Sequence, residues 1–296
     1  ERADYTNRLF NILAQLVPEN VGGGISTSPL SYKHWHSTIA QKQKVYQKST
    51  EHLAQVVAEL IKIKEATSIS MHLDIEPEPD GMLENSSEVL DYFSQWLLPV
   101  GTKHLQEGLG ISIQQAEAAV REHIQLCYDV CHFAVAYEDH QEAIDRFAEE
   151  GWQIGKIQIS AALKADLPAD HKERQLVKEA FEQFNESTYL HQVVARDQER
   201  LLTQYPDLEE ALADFDHPGN AEWRTHFHVP IFLPAYQALQ STQDDIKRVL
   251  EIWQNKPFSQ HLEVETYTWE VLPPTMQTDL ASSIERELRW VMDQLD

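Results

Sequence analysis

The sequence predicts an α/β chain on a parallel sheet, of the (β/α)8 TIM-barrel type. Six short apolar segments of strand character alternate with helical segments, with no close hairpin between them, the arrangement that builds parallel sheets. Polar residues close several of these strands, as in a barrel whose site is assembled from many strand tips; a doubly wound sheet would gather them at one switch point. No G-x-G-x-x-G follows the first strand, which argues against dinucleotide binding.

Six strands fall two short of a closed barrel, and the sequence starts at Glu1 rather than Met. The expectation is a single domain over residues 1–296 that lacks its first two strands. At roughly 30 residues per strand–helix unit, the missing part is on the order of 60–100 residues. An open six-stranded sheet is the competing arrangement.

Taken in order, Leu9, Ile12, Leu13 and Leu16 recur at helical spacing over residues 3–17. Asn20 to Gly24 breaks that helix, and a strand over 21–28 runs into a polar S-T-S-P loop. Residues 38–63 lack proline and glycine and carry Leu53, Val56, Val57, Leu60 and Ile61 at helical spacing. In 69–79, I-S-M-H-L-D-I-E-P-E-P, Ser70, His72 and Asp74 alternate with Met71, Leu73 and Ile75, the period of a strand. Glu76 stands at its end, and Pro77 and Pro79 stop the ladder because neither can donate to it. Helices at 87–98 and 112–122 follow, separated by Gly101 and a Gly108–Gly110 turn.

The strand 123–130 delivers Asp129 at its tip and His132 just beyond. A helix at 139–150 leads to a strand at 154–160 bearing Lys156 and Gln158. An insertion at about 164–221 reads as polar helices, punctuated by Pro206 and a turn at His217–Pro218–Gly219–Asn220. The strand 223–229 carries His226 and His228, two apart and so on one face. A helix at 243–254, a strand at 261–268 with Glu263 and Glu265, and an amphipathic helix at 279–295 close the chain.

The chain is 42% hydrophobic and 24% charged, ordinary for a globular protein. No apolar run approaches bilayer length, so no membrane insertion is expected. The net charge of −24 disfavours nucleic acid, whose binding rests on Lys and Arg neutralising phosphates. A small-molecule metabolite is the expected partner. The only cysteines, Cys127 and Cys131, are awkwardly close for a disulfide and make a poor zinc motif. Reduced thiols fit a cytoplasmic location.

The strand-tip set is Glu76, Asp129, His132, Gln158, His226, His228 and Glu265. Such oxygen and imidazole donors suit Mn2+, Mg2+, Fe2+, Co2+ or Zn2+. Singly, each has a simpler reading: Asp129 as an Asx turn or helix cap, His132 as a packing histidine. Together they point to a divalent metal site. Glu265 is preferred to Glu263, which lies deeper, where an unpaired charge is costly. Trp35 and Trp269 are candidates for an apolar or sugar-binding wall. His191 and Arg196 are candidates for a lid, since long insertions are often functional.

D-I-E-P-E-P-D, Y-D-V-C-H, K-I-Q-I-S-A-A-L, W-R-T-H-F-H-V-P and E-T-Y-T-W-E-V-L-P resemble the xylose isomerase-like TIM barrels. That group includes sugar phosphate isomerases and epimerases and endonuclease IV-like enzymes. Within it the motifs are most similar to the metabolite traffic protein EboE family, over most of the chain. The resemblance implies a divalent metal at the barrel mouth, held by Glu76, Asp129, His132 and Glu265. Gln158 stands where the usual strand-six histidine would be, with His226 or His228 as replacement. An isomerase or epimerase would use Glu76 and Glu265 as the acid–base pair on a small polar metabolite. His132 and Lys156 would then hold the substrate. The resemblance also implies an operon for making and exporting a metabolite, whose other products are possible partners. A non-catalytic metabolite carrier and a metal-dependent phosphodiesterase are the alternatives.

Overall fold

A computed structural model describes residues 1–296 apart from 19, 20, 218, 275 and 296. Asn20 and Pro218 of the expected breaks therefore lie outside the described residues. In chain order the first elements are α1 (Arg2–Leu13), β1 (Gly23–Thr27), α2 (Ile39–Thr67), β2 (Met71–Ile75) and α3 (Ser86–Tyr92). There follow α4 (Leu98–Leu109), α5 (Ile113–His123), β3 (Ile124–Asp129), α6 (Val130–Val135), α7 (His140–Glu149) and β4 (Ile154–Ile159). Next come β5 (Leu163–Asp166), α8 (His171–Glu182), β6 (Val193–Asp197), β7 (Leu202–Tyr205), α9 (Leu208–Ala213) and β8 (Asn220–Thr225). The last are β9 (Ala235–Tyr236), β10 (Leu239–Ser241), α10 (Gln243–Asn255), β11 (Leu262–Val264) and α11 (Leu280–Leu295).

These elements form two compact units. The first comprises Glu1–Tyr128, Glu142–Ile157 and Phe258–His261; the second comprises Asp129–Gln141, Gln158–Pro257 and Leu262–Asp296.

In the first unit β1 pairs parallel with β2, and β2 with β3. β4 follows, with Leu126 N–H donating to Gln153 O at 3.0 Å. Every residue of β2 is buried. Leu53, Val56, Val57 and Leu60, the apolar face of α2, are buried as well, each worth about 1.5–3 kcal/mol relative to exposure. α2 and α5 begin with reciprocal capping boxes, Thr38 with Gln41 and Ser112 with Gln115, which satisfy donors that a helix start leaves open.

Gly101, expected to separate two helices, lies inside α4. A Cβ there would stand 3.4 Å from a Val120 methyl and 3.9 Å from Thr50, ordinary contact distances. On β2, His72 Nδ1 lies 2.6 Å from Asp74 Oδ1. The Asp74 side chain touches both β1 and β4: a Cβ on Gly24 would fall 2.3 Å from Oδ2, and one on Gly155 2.1 Å from Oδ1. One side chain reaching strands on both sides of the β2–β3 pair requires a curled sheet.

The parallel sheet orders as β1-β2-β3-β4-β11. At its far edge, within the second unit, Glu265 N–H donates to Ile159 O at 3.2 Å. Where a barrel lacking its first two strands was expected, the described residues form an open, curled five-stranded parallel sheet. The fifth of the six expected strands, 223–229, is lost from it: residues 220–225 form β8 in a separate antiparallel sheet of order β7-β6-β8-β5-β10-β9.

The insertion is corrected with it, from polar helices to a sheet carrying only α8 and α9. V-V-A-R-D, L-T-Q-Y and N-A-E-W-R-T are short, β-branched and aromatic strands. β6 and β7 form a hairpin whose turn is closed by Asp197 Oδ1, accepting from Glu199 and Leu201 N–H at 2.8 Å. Trp223 of β8 is fully buried, with the Phe215 ring edge-on at 4.9 Å. Among the described residues no helix is long and apolar enough to cross a membrane.

Candidate metal centre

β3 is buried along its whole length and ends at Asp129, which caps the short helix α6. Its Oδ1 accepts from the His132 N–H at 2.9 Å and from the Ser160 hydroxyl at 2.7 Å. Ser160 Oγ accepts in turn from Cys131 N–H at 3.0 Å. Capping spans three residues, so the D-x-x-H spacing that starts the helix also sets the His132 ring beside the carboxylate. Asp129 Oδ2 receives no N–H or hydroxyl bond.

β8 ends at Thr225, and residues 226–229 leave the antiparallel sheet, with Val229 N–H donating to Ala161 O at 2.9 Å. His226 is held twice by Gln192: its N–H donates to Gln192 O at 2.8 Å, and its Nδ1 lies 2.9 Å from Gln192 Oε1. His228 Nδ1 lies 2.9 Å from Glu265 O. Each Nδ1 faces an oxygen that can only accept, so each carries the ring proton, and the lone pair of each ring is at Nε2.

Those lone pairs converge. His132 Nε2 lies 3.0 Å from His226 Nε2 and 3.4 Å from His228 Nε2. One N–H on His132 can satisfy one of them, which leaves lone pair against lone pair in a fully buried place. Metal–nitrogen bonds of 2.0–2.1 Å put adjacent nitrogens roughly 2.9–3.4 Å apart, from octahedral to tetrahedral angles. The three imidazoles therefore fit an ion. Asp129, Cys131 and His228 form a second group whose ligand atoms lie within 4.8 Å of one another.

The electrostatics agree. Burial, followed by the neighbouring His132, His228 and His191, holds the His226 pKa well below the ordinary imidazole value, so the ring is neutral. Burial pushes the Asp129 carboxyl upward, but His132 and His228 outweigh it and the acid ends below its usual range.

Of the expected site residues, Asp129, His132, His226, His228 and Glu265 come together in the second unit. Gln158 is buried near the end of β4. Glu76 lies in the first unit one residue past β2, half-buried, its N–H donating to Thr27 O at 2.9 Å. Lys156 is on β4 in the first unit, and Trp35 there is 74% exposed. His191 is fully buried against the Phe227 ring, with Nε2 2.7 Å from Glu186 Oε1. Arg196 is paired with Glu222 and sits 4.6 Å over the Tyr137 ring. Trp269 is buried, and its Nε1 has no hydrogen-bond partner.

Sequence reasoning missed Cys131, Ser160 and Gln192. Cys131 was visible inside Y-D-V-C-H but set aside for want of a second cysteine pair; both cysteines are buried and outside any disulfide. Ser160 lies within K-I-Q-I-S-A-A-L and Gln192 beside the lid candidate His191, but their bonds to Asp129 and His226 leave no signal in the sequence.

No family model matches the chain, and no curated protein matches it. The fold and site define a mixed α/β chain with a buried imidazole–carboxylate cluster suited to ion coordination.

Proposed function

We propose that this chain is a divalent-metal-dependent enzyme of the isomerase or epimerase type, EboE-like, acting on a small polar metabolite in the cytoplasm. The observation that carries the metal is the convergence of three imidazole Nε2 atoms with too few protons between them. His132, His226 and His228 would hold the ion, with Asp129 beside them. When bound, it would polarise a substrate carbonyl.

The chain's own groups do the rest. Glu265 takes the proton alpha to that carbonyl, the C–H electron pair moves towards the carbonyl oxygen, and the proton returns to the neighbouring carbon or the opposite face. The sequence resemblance adds Glu76 as the second carboxylate.

Elemental analysis of the purified chain tests the metal, and a sugar and sugar-phosphate panel in deuterated water tests the reaction. Bound metal with deuterium incorporation at the carbon alpha to a carbonyl is expected. A metal-free protein whose melting temperature ignores added divalent ions would overturn the first part. Bound metal without exchange or turnover on any member would favour the carrier. Phosphodiester cleavage is the second reading, favoured by His226 and His228 both joining the cluster. Release of nitrophenol from bis(p-nitrophenyl) phosphate would select it.

A further inference from the structure

We propose that the first unit carries a second small-molecule site, for a short aliphatic carboxylate, in the cavity bounded by α1, the tip of β1 and α2. It is independent of the metal reading. The cavity has a volume of about 180 Å3. Leu53, Val56 and Leu73, all buried, make an apolar floor. Around its rim stand Arg2, Ser28, Ser49 and His52.

No lining residue is acidic, although the chain holds 48 acids against 24 lysines and arginines. Arg2 donates one bond, from Nη1 to Ser28 Oγ at 2.7 Å. Among the described residues neither Arg2 nor His52 has a carboxylate partner. A guanidinium left unpaired in so acidic a chain, facing hydroxyls above an apolar floor, is complementary to an anion with a hydrocarbon body. Its remaining N–H groups match the planar fork of a carboxylate.

The volume sets the length. A cavity of about 150 Å3 holds a benzene-sized guest, so this one takes roughly six to eight non-hydrogen atoms, the span from butyrate to hexanoate. Inorganic phosphate would satisfy the guanidinium and leave the floor uncovered.

Calorimetric titration of the purified chain with hexanoate, hexanamide and inorganic phosphate tests the assignment. Saturable hexanoate binding is expected, with hexanamide at least about tenfold weaker, because charge-assisted bonds are roughly twice as strong as neutral ones. Arg2→Gln, at an exposed position, should weaken hexanoate by about tenfold and leave the metal content unchanged. Ser49→Phe, which fills the cavity from α2, should abolish binding while the circular dichroism spectrum is retained. Absence of hexanoate binding, equal binding of hexanamide, phosphate binding as tightly, or indifference to Arg2→Gln would each overturn the proposal. Failure here leaves the metal measurements untouched, so the two readings fall separately.

Discussion

In the first unit the His72 Nδ1 lies 2.6 Å from Asp74 Oδ1, while Asp74 Oδ2 has no hydrogen-bond partner. In the second unit Asp129 takes its bonds from a backbone N–H and a serine hydroxyl, and the rings of His132, His226 and His228 are left to face each other. Both arrangements bury an aspartate completely. A ring proton aimed at a carboxylate, amide or carbonyl oxygen fixes the tautomer and leaves the other nitrogen as a potential ligand. What separates the two arrangements is that far nitrogen: the Nε2 atoms of His132, His226 and His228 converge, whereas among the described residues His72 joins no such group.

The sharpest way to break this contrast is to remove one ring from each side. His132→Ala should abolish stoichiometric metal after gel filtration, and His72→Ala should leave it unchanged, as read by elemental analysis. The reverse result would invert the comparison.

Next in size is the His72–Asp74 pair itself. Asp74→Ala strands His72 without its partner, and breaking a buried pair costs about 3–5 kcal/mol. Asp74→Asn keeps an acceptor oxygen for the ring and should lose less. Urea unfolding of both variants measures the difference; equal stability of Asp74→Ala and the parent would show that the pair contributes nothing.

Glu287 offers a third solution to a buried acid. Its Oε1 accepts from Ile231 N–H at 3.1 Å and Thr266 Oγ1 at 2.7 Å, and among the described residues no basic side chain pairs with it. Burial, only partly opposed by those two bonds, raises its pKa from 4.5 to about 7. The folded state therefore holds the proton more tightly than the unfolded chain. Its contribution is full below pH 4.5 and is lost as pH rises towards 7. The loss is on the order of 2–3 kcal/mol. Glu287→Gln should remove that pH dependence, so the gap between variant and parent should widen from pH 4.5 to 7 in thermal melts. A constant gap would mean the carboxyl is ionised throughout.

The sequence makes part of this visible. Strand periodicity locates β2, β3 and β4 because buried parallel strands impose apolar runs, and the D-x-x-H cap locates Asp129 and His132 because both lie within one turn. It fails at 164–225, where short antiparallel strands of mixed polarity carry no run long enough to separate from helix. H-F-H was read as strand, yet 226–229 lies outside every strand. Both rings still arrive, because their positions depend on Gln192 and Glu265, far off in sequence. Long-range hydrogen bonds leave no local period, so Ser160 and Gln192 were invisible.

Gln192 supplies the subtlest test. It holds His226 through the backbone and through Oε1, and only the second bond depends on its side chain. Gln192→Ala should keep the 2.8 Å backbone bond and lose the acceptor that fixes the proton on Nδ1. The imidazole can then place its proton on Nε2, facing the other rings. Removing such an outer partner lowers metal affinity by roughly 10–100-fold, which competition with a chromophoric chelator would measure. Gln192→Glu retains an oxygen acceptor and should restore binding. A merely structural glutamine would show loss of stability in both variants and no rescue of affinity by glutamate. If Gln192→Ala binds metal as tightly as the parent, the Gln192 side chain does not set the tautomer of His226.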